Sequence, residues 1–221
     1  MNDEYDLIVL GGGPVGENVA DRAVQGGLTA LIVESELVGG ECSYWACMPS
    51  KALLRSPQVL RAAQNVGGSA EAVTGALDVA AVLRRRDEFT SHWNDDGQVA
   101  WLDSAGIDLV RGHGRLSGER QVTVTTPEGT VRVLTARHAV AISTGSDAAL
   151  PPIPGLSGVG AWTSREATSA KEIPASLVII GGGVVAVEMA TAYASLGSAV
   201  TVLARSGLLG SMEPFAAELV T

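Results

Sequence analysis

The 221-residue chain has few aromatic residues, few positive charges and only two cysteines. Fifteen Lys and Arg stand against twenty-four Asp and Glu, which gives a net charge of −9. A nucleic-acid surface needs clustered Lys and Arg to bind phosphates, so the acidic balance argues against such a partner. The one basic run, residues 84–86, is followed at once by Asp87 and Glu88 and is interpreted as a solvated helix face.

Long apolar runs are also absent from the sequence. No run approaches the roughly 20 residues that a bilayer-spanning helix needs, and the acidic start "MNDEYDL" does not resemble a signal peptide. We therefore expect a cytoplasmic protein that does not bind a membrane. Structural disulfides are rare in the cytosol, so two close cysteines there indicate redox or metal chemistry.

What the chain does contain is 46% apolar residues and 27 glycines. Small and aliphatic residues in this proportion favour buried parallel strands with closely packed helices. The expected fold class is therefore α/β, and the order of the motifs decides which kind.

The first motif follows the short apolar run "YDLIVL". Gly11, Gly13 and Gly16 have the GxGxxG spacing, and a second run, "LTALIVE", ends at Glu34. Strand, glycine turn, helix, strand and acid in this order form the dinucleotide-binding fingerprint. Gly11 allows the tight turn, Gly13 lets the backbone approach a pyrophosphate, and Gly16 lets the helix pack closely. Glu34 can accept hydrogen bonds from a ribose diol.

The same pattern recurs later, where "LVII" leads into Gly181 and Gly183, with Ala186 in the third position. In place of the acid this copy has Ala204 followed by Arg205. Loss of the acid removes repulsion, and a guanidinium can pair with a 2′-phosphate, so we expect NADP(H) to be preferred over NAD(H). The alternatives are that Arg205 only faces water and that the glycine turns bind nothing.

Between the two motifs, residues 51–103 are predicted to be helical. The runs "VTVTT" and "VRVLT", joined by a turn at residues 126–130, predict an antiparallel appendage that returns to the main sheet at "AVAIST". The proline-rich residues 150–155 predict a stiff linker. The predicted domains are 1–152, a Rossmann-like dinucleotide-binding domain with this appendage, and 153–221, the start of a second Rossmann-like domain.

Both cysteines, Cys42 and Cys47, lie in the segment "GGECSYWACMPSK". On a regular helix, residues five apart lie about 140° and roughly 8 to 9 Å apart, whereas a disulfide needs Cα atoms within about 7 Å. If the two pair, the backbone between them cannot be plain helix. We expect Cys42 in the entering loop or a distorted first turn and Cys47 near a helix N-terminus, where a thiolate is favoured.

Two other interpretations of the cysteine pair stay open at this point. A zinc site needs four ligands, or three and a water, and none of the three histidines has a ligand spacing to the pair; we expect no metal. The cysteines could also be an inert buried pair, because free cysteine often belongs to a protein core.

Together these motifs resemble those of the FAD-dependent pyridine nucleotide-disulfide oxidoreductases, a family that includes glutathione reductase, dihydrolipoamide dehydrogenase and mercuric reductase. The resemblance covers nearly the whole chain. It rests on the first glycine motif with Glu34, on GG-x-Cys-x4-Cys-x-Pro-Ser-Lys, on Ser-Thr-Gly-Ser at residues 143–146, and on Gly-x-Gly-x-x-Ala-Val-Glu ending at Glu188.

The resemblance implies that the first domain binds FAD and the second binds NAD(P)H. Glu34 would bind the ribose of the ADP part of FAD. Gly40, Thr144 and Gly145 would belong to the FAD-binding set, with Thr144 and Gly145 where the chain passes close to the flavin.

The resemblance also implies roles for the thiols and for two charged residues. Cys42 would be the exposed interchange thiol that attacks a substrate disulfide, and Cys47 would lie against the isoalloxazine and pass electrons. Lys51 would form a buried ion pair with Glu188 beside the flavin, although either could be a simple surface charge. Electrons would run from NAD(P)H through the flavin to the Cys42–Cys47 disulfide and on to a small-molecule disulfide or related acceptor.

Two departures from the family pattern leave the acceptor open. The spacer between the cysteines is Ser-Tyr-Trp-Ala, with two bulky aromatics, and the sequence stops at "SMEPFAAELVT". Family members continue into a dimerisation domain whose His-Glu pair acts on the partner's thiols. We therefore expect a fragment of a homodimer that holds FAD poorly and does not turn over disulfides well. The alternatives are a flavin-binding redox sensor or electron-transfer module, and a quinone or metal-ion reductase with the same redox core.

Overall fold

The computed structural model describes residues 2–220, which fold into two compact units. The first unit comprises residues 2–44 and Ser91–Ala149, and the second comprises Trp45–Thr90 and residues 150–220. The boundary between residues 149 and 150 coincides with the start of the predicted proline-rich linker, residues 150–155. The helical segment Trp45–Thr90 groups with the C-terminal part of the chain, so neither unit is one continuous stretch of sequence. The cofactor domains 1–152 and 153–221 stay a prediction.

The regular elements alternate between strands and helices at both ends of the chain. The strands are β1 (Glu4–Leu10), β2 (Ala30–Glu34), β3 (Asp108–Arg111), β4 (His113–Gly118), β5 (Gln121–Thr125), β6 (Val131–Ile142), β7 (Ser176–Ile180) and β8 (Ala199–Leu203). The helices are α1 (Pro14–Gln25), α2 (Gly40–Tyr44), α3 (Cys47–Gln64), α4 (Val79–Phe89), α5 (Asp96–Ala105), α6 (Ser164–Ser169), α7 (Val184–Ser195) and α8 (Pro214–Val220).

The first unit is built on a six-stranded sheet in the order β3-β2-β1-β6-β5-β4. The strands β3, β2, β1 and β6 are parallel neighbours, while β5 and β4 are antiparallel. Parallel strands need both faces covered, and their side chains divide accordingly. Ile8 and Leu31 pack on one face with the antiparallel strands, and Val9 and Ile32 pack on the other with helices α1 and α5. This confirms the predicted α/β class with a parallel-dominated sheet.

The antiparallel appendage forms as predicted and shares one long strand with the main sheet. The first half of β6 pairs antiparallel with β5, and its second half pairs parallel with β1 up to Leu10↔Ile142. The turn between β5 and β6 closes through a hydrogen bond from Thr126 N to Thr130 O of 2.9 Å. Twelve residues in one strand therefore bring the chain back beside the first glycine turn.

The second unit contains the repeated strand-helix-strand motif. The strands β7 and β8 pair in parallel, and α7 connects them. Their inward side chains join a core with α3 and α4, in which Leu53, Met189 and Tyr193 are buried. No helix within residues 2–220 has the length and apolar character needed to cross a bilayer.

The basic run at residues 84–86 is not a solvated face throughout, and that interpretation is wrong for Arg86. The Arg86 side chain is 1% exposed and donates to the carbonyls of Thr168 at 2.6 Å and Ala170 at 2.9 Å. Arg85 donates to the carbonyl of Ala52 at 3.0 Å. A buried guanidinium has five donors in a fixed geometry, so it can bind the carbonyls at the end of α6.

Replacement of Arg86 by Met is expected to destabilise the second unit by about 2–4 kcal/mol, because two carbonyls lose a charged donor inside the protein. Urea unfolding with hydrogen exchange at α6 measures the loss. The matched control is Arg84→Met, since the Arg84 side chain is 67% exposed and its loss should change stability by less than about 0.5 kcal/mol. Equal effects of the two changes would contradict a structural role for Arg86.

Candidate functional site

The first glycine turn fits against the start of the segment that follows β6. Gly11 has φ +98°, and a Cβ there would lie 2.3 Å from the carbonyl oxygen of Ser143. A Cβ on Gly16 would lie 1.9 Å from the carbonyl oxygen of Gly11. Any side chain at either position would force the backbone apart, so the close turn requires glycine.

Gly13 and Gly40 approach each other just before the cysteine segment. Gly40 has φ +56°, and a Cβ there would lie 2.8 Å from the Cα of Gly13. Gly39 N also donates to Gly12 O at 2.7 Å. Gly13 caps α1 at its N-terminus without a side chain, so backbone N–H groups and the positive end of the helix dipole are left to face an anion. A pyrophosphate fits this arrangement.

Glu34 is buried at the end of β2, where its carboxylate already orders the glycine turn. Oε2 accepts from Gly12 N at 2.6 Å, and Oε1 accepts from Glu36 N at 2.7 Å. A carboxylate has about four lone-pair positions, so these two bonds leave capacity for a ribose diol.

Thr144 and Gly145 follow β6 and lie in the exposed segment at the carboxyl end of the parallel strands. Ser143 N donates to Leu10 O at 2.7 Å, which fixes where this segment leaves the sheet. Ligands of open α/β sheets bind at this edge. The position agrees with a cofactor-binding role for Thr144 and Gly145, and that role stays a prediction.

The two cysteines form a disulfide, Cys42–Cys47. Cys42 lies in the one-turn helix α2, and Cys47 is the first residue of α3. The helices are interrupted at Ala46, whose φ of −130° and ψ of −95° are not helical. The expectation that the connecting backbone departs from plain helix is therefore confirmed, although Cys42 occupies a helical turn of its own. Cys47 is exposed and Cys42 is half-buried, whereas the resemblance implied that Cys42 is the exposed thiol; in the closed disulfide the short helix α2 covers part of Cys42.

Lys51 and Glu188 form an ion pair in the second unit, with Nζ 2.6 Å from Oε1. Lys51 Nζ also lies 3.3 Å from Ser50 Oγ, which in turn donates to the carbonyl of Cys47 at 3.3 Å. The Lys51 side chain is 62% exposed, where the resemblance implied a buried pair. The pairing itself is present, and its place beside a flavin stays a prediction.

The second glycine motif closes against a loop after β8. Gly181 has φ +124°, and a Cβ on Gly182 would lie 2.4 Å from the carbonyl oxygen of Gly207. Gly183 caps α7, and Ala186 lies in that helix's first turn. These positions agree with a nucleotide turn, and their cofactor contacts stay predictions. Arg205 is exposed next to this loop.

Sequence reasoning missed the residues that hold the cysteine segment in place. In the first unit, Trp93 Nε1 donates to Tyr44 O at 3.1 Å, and Asp95 Oδ2 accepts from Val38 N at 2.7 Å. Arg111 is hydrogen-bonded to Asp95. The residues 91–93 all have positive φ, which no sequence pattern of Ser, His and Trp announces.

In the second unit, the spacer residue Trp45 has its own attachments. Thr168 Oγ1 lies 2.9 Å from the carbonyl oxygen of Trp45, and the Arg165 guanidinium stacks 4.2 Å from the Trp45 ring centroid. Such stacking contributes roughly 0.5–2 kcal/mol. The side chains on both sides of the helix interruption are therefore fixed by contacts.

Comparison with known proteins gives a consistent result. The family described as pyridine nucleotide-disulphide oxidoreductase matches residues 5–221. A dihydrolipoyl dehydrogenase of Chlorobaculum tepidum is 38% identical over 90% of this chain and 42% of its own length. A mercuric reductase of Acidithiobacillus ferrooxidans is 33% identical over 99% of this chain and 40% of its own.

The solved structures include the copper(II) complex of RclA, a HOCl-induced flavoprotein disulfide reductase of Escherichia coli. It superposes with a TM-score of 0.82 at 26% identity, over 100% of this chain and 46% of RclA. The chain thus spans less than half the length of these three relatives.

The chain belongs to the pyridine nucleotide-disulphide oxidoreductase family. Membership implies FAD and a pyridine nucleotide as cofactors and a redox role for the Cys42–Cys47 disulfide. The glycine turn, the approach of Gly13 to Gly40 and the buried Glu34 fit the first of these cofactors.

All three tyrosines, Tyr5, Tyr44 and Tyr193, are expected to ionise late. Burial, followed for Tyr44 by the charges of Asp95 and Glu17, raises the pKa of each from 10.0 to about 12. Since the folded pKa lies above the unfolded value, this stabilisation is complete below pH 10 and is lost as the pH rises toward 12. Tyrosinate absorbance should therefore be absent from the native protein at pH 10.5 and present after unfolding in guanidinium. Native ionisation near pH 10 would contradict the burial of these hydroxyls.

Proposed function

We propose that the protein carrying this chain is an FAD-dependent oxidoreductase. It takes electrons from NAD(P)H and passes them through the Cys42–Cys47 disulfide to a disulfide or related acceptor. The observation that carries the proposal is a disulfide across an interrupted helix, with Cys47 at the first position of α3.

The helix end decides how the two sulfurs differ in chemistry. Two-electron reduction opens the S–S bond, and two protons complete the pair of thiols. The dipole of α3 and its free N–H groups favour the thiolate at Cys47. Cys42, five residues earlier, lies outside that helix and takes the role of the interchange thiol.

The second half of the cycle returns the disulfide to its starting state. The Cys42 thiolate attacks one sulfur of the acceptor disulfide, forms a mixed disulfide and releases the first acceptor thiolate. The Cys47 thiolate then attacks Cys42, reforms Cys42–Cys47 and releases the second acceptor thiolate. The acceptor has gained two electrons, and two protons convert its thiolates to thiols.

FAD, when bound, supplies a two-electron carrier between the nicotinamide and the disulfide. The residues that would hold it are the first glycine turn, Gly40, Glu34, Thr144 and Gly145. Lys51 and Glu188 would hold a fixed charge pair near the site of reduction, and Ser50 links Lys51 to the backbone of Cys47.

The aromatic spacer bears on which acceptor is used. Tyr44 is buried with its hydroxyl bonded to Val38 O at 3.0 Å, and the Trp45 ring is covered on one side by Arg165. Because their own contacts hold these two side chains, they cannot easily rearrange to bind an acceptor. We therefore assign them to packing around the disulfide. The proposed acceptor stays a disulfide or related small molecule.

The nucleotide preference of the second motif is proposed to be NADP(H). Ala204 replaces the acid that would bind a ribose diol, and exposed Arg205 follows it beside the Gly207 loop. A guanidinium there can bind a 2′-phosphate in two-point fashion.

Anaerobic titration of the flavin-loaded protein with NADPH, and then NADH, tests the role of the disulfide. At two electrons we expect the long-wavelength absorbance that a thiolate beside oxidised flavin gives. Cys47→Ser should abolish this band, because it removes the sulfur assigned to the flavin side. Cys42→Ser is the matched control: it has no disulfide to reduce, so its Cys47 thiolate should give the band before any nucleotide is added and lose it once the flavin is reduced.

The assignment is wrong if Cys47→Ser leaves the band unchanged. If the wild-type disulfide accepts electrons but no disulfide, quinone or metal-ion acceptor is turned over by the full-length protein, the redox-sensor alternative replaces the reductase.

Replacement of Arg205 by Ala should raise the KM for NADPH about tenfold, since one charge-assisted contact to phosphate is lost. The KM for NADH should stay within about twofold, because that cofactor has no 2′-phosphate to lose. Steady-state kinetics with both nucleotides make the comparison, and Arg84→Ala serves as the control for a lost surface charge. Parallel changes for the two nucleotides would refute the NADP(H) preference.

A further inference from the structure

We propose that Trp93 is a positioning residue for the redox disulfide. Its indole N–H holds the backbone carbonyl of Tyr44 and so stabilises the closed Cys42–Cys47 form relative to the open dithiol. The inference rests on the proposed function, because it concerns the same disulfide, and it adds a residue from a distant part of the chain.

The end of α2 lies next to the indole of Trp93. The last carbonyls of any helix lack partners within the helix, and α2 is only five residues long and ends at Tyr44. Tyr44 is among the most buried side chains of the protein. Trp93 Nε1 donates to the Tyr44 carbonyl oxygen at 3.1 Å in a partly buried position, and losing a hydrogen bond shielded from water destabilises the form that makes it.

The backbone at Trp93 has an unusual conformation. Ser91, His92 and Trp93 have φ of 48°, 53° and 56°, three consecutive non-glycine residues in the left-handed region. This conformation is unfavourable for residues with a side chain, and strain of this kind persists only where the surrounding structure enforces it and often marks a functional site. The hydrogen bond to Tyr44 O gives this turn a role at the disulfide.

A second set of hydrogen bonds joins the same two segments. Asp95 Oδ2 accepts from Val38 N at 2.7 Å, and the Tyr44 hydroxyl donates to Val38 O at 3.0 Å. Arg111 holds Asp95 and also donates to Glu36 O at 2.7 Å. These bonds fix the ring of Tyr44 and the segment before α2, while the indole of Trp93 fixes the Tyr44 backbone two residues before the interruption at Ala46.

The disulfide and dithiol forms differ in whether they need the backbone between residues 42 and 47 to leave regular helix. The S–S bond requires the backbone between residues 42 and 47 to leave regular helix, because a plain helix holds such residues too far apart. The dithiol has no such requirement, so its spacer can relax and the Tyr44 carbonyl can move from Trp93. A hydrogen bond made more fully in the disulfide form should favour that form by roughly three- to tenfold.

Trp93→Phe tests the proposal, because phenylalanine keeps an aromatic ring and removes the N–H. The flavin-loaded protein is equilibrated in mixtures of reduced and oxidised dithiothreitol, quenched by thiol alkylation and measured by mass. Two dithiothreitol thiols give two electrons and two protons to the protein disulfide and close their own ring. We expect the equilibrium to shift toward the dithiol by three- to tenfold. Trp101→Phe, whose parent residue is 41% exposed on α5, should leave it unchanged.

Thermal unfolding of the disulfide and dithiol forms separates this role from a merely structural one. Under the proposal, Trp93→Phe destabilises the disulfide form more than the dithiol form, by the amount of the redox shift. A merely structural role predicts equal destabilisation of the two forms. Equal destabilisation of both forms, or an equilibrium equal to that of Trp101→Phe, overturns the proposal. If the wild-type disulfide does not open and close reversibly, it is the proposed function that fails.

A measurement on the wild type covers the case in which Trp93→Phe does not fold. Hydrogen exchange of the Trp93 indole N–H is followed by NMR in the oxidised and reduced protein. We expect slower exchange in the disulfide form, because the N–H is then bonded to Tyr44 O. Equal exchange rates in the two forms would overturn the proposal without any substitution.

Discussion

The interruption of helical structure at Ala46 is the constraint on which the redox site depends. Cys42 and Cys47 can bond only because the backbone between them leaves regular helix. The same interruption puts Cys47 at the start of an 18-residue helix, where a thiolate is favoured. It also ends α2 at Tyr44, whose carbonyl accepts a hydrogen bond from the indole N–H of Trp93. The disulfide, the asymmetry of its sulfurs and the surrounding hydrogen bonds are thus consequences of one local break.

The first glycine motif depends on a different constraint, the close approach of one backbone segment to another. The positions at which a Cβ would collide are glycines because backbone meets backbone there, as in the contact of Gly13 with Gly40. That contact places the segment leading into α2 against the phosphate-binding end of α1. Within the first unit, then, the glycine turn and the entry to the cysteine segment are ordered by the same contact, and Glu34 ties the turn to β2.

Much of this could be predicted because the relevant signals are local. The glycine spacing, the apolar runs and the turn at residues 126–130 each specify their own conformation over a few residues, and the structure confirms both strand-helix-strand motifs and the hairpin. The burial of Arg86 could not be predicted, because its acceptors lie more than 80 residues later in the chain. The resemblance implied that Lys51 pairs with Glu188 and that the pair is buried. The pair is present, but the Lys51 side chain is exposed, because exposure depends on residues from other parts of the chain.

The sequence by itself determined the α/β class, the two nucleotide motifs, the cysteine pair and the need for a non-helical link between the cysteines. These follow from periodicity, glycine sterics and the reach of a disulfide, all of which act over short stretches of chain. Only the tertiary structure decided which side chains support that link. Trp93 reaches Tyr44 across 49 residues through a left-handed turn whose residues carry no sequence signal for it. Such contacts depend on where distant segments meet, which is settled by packing of the whole unit.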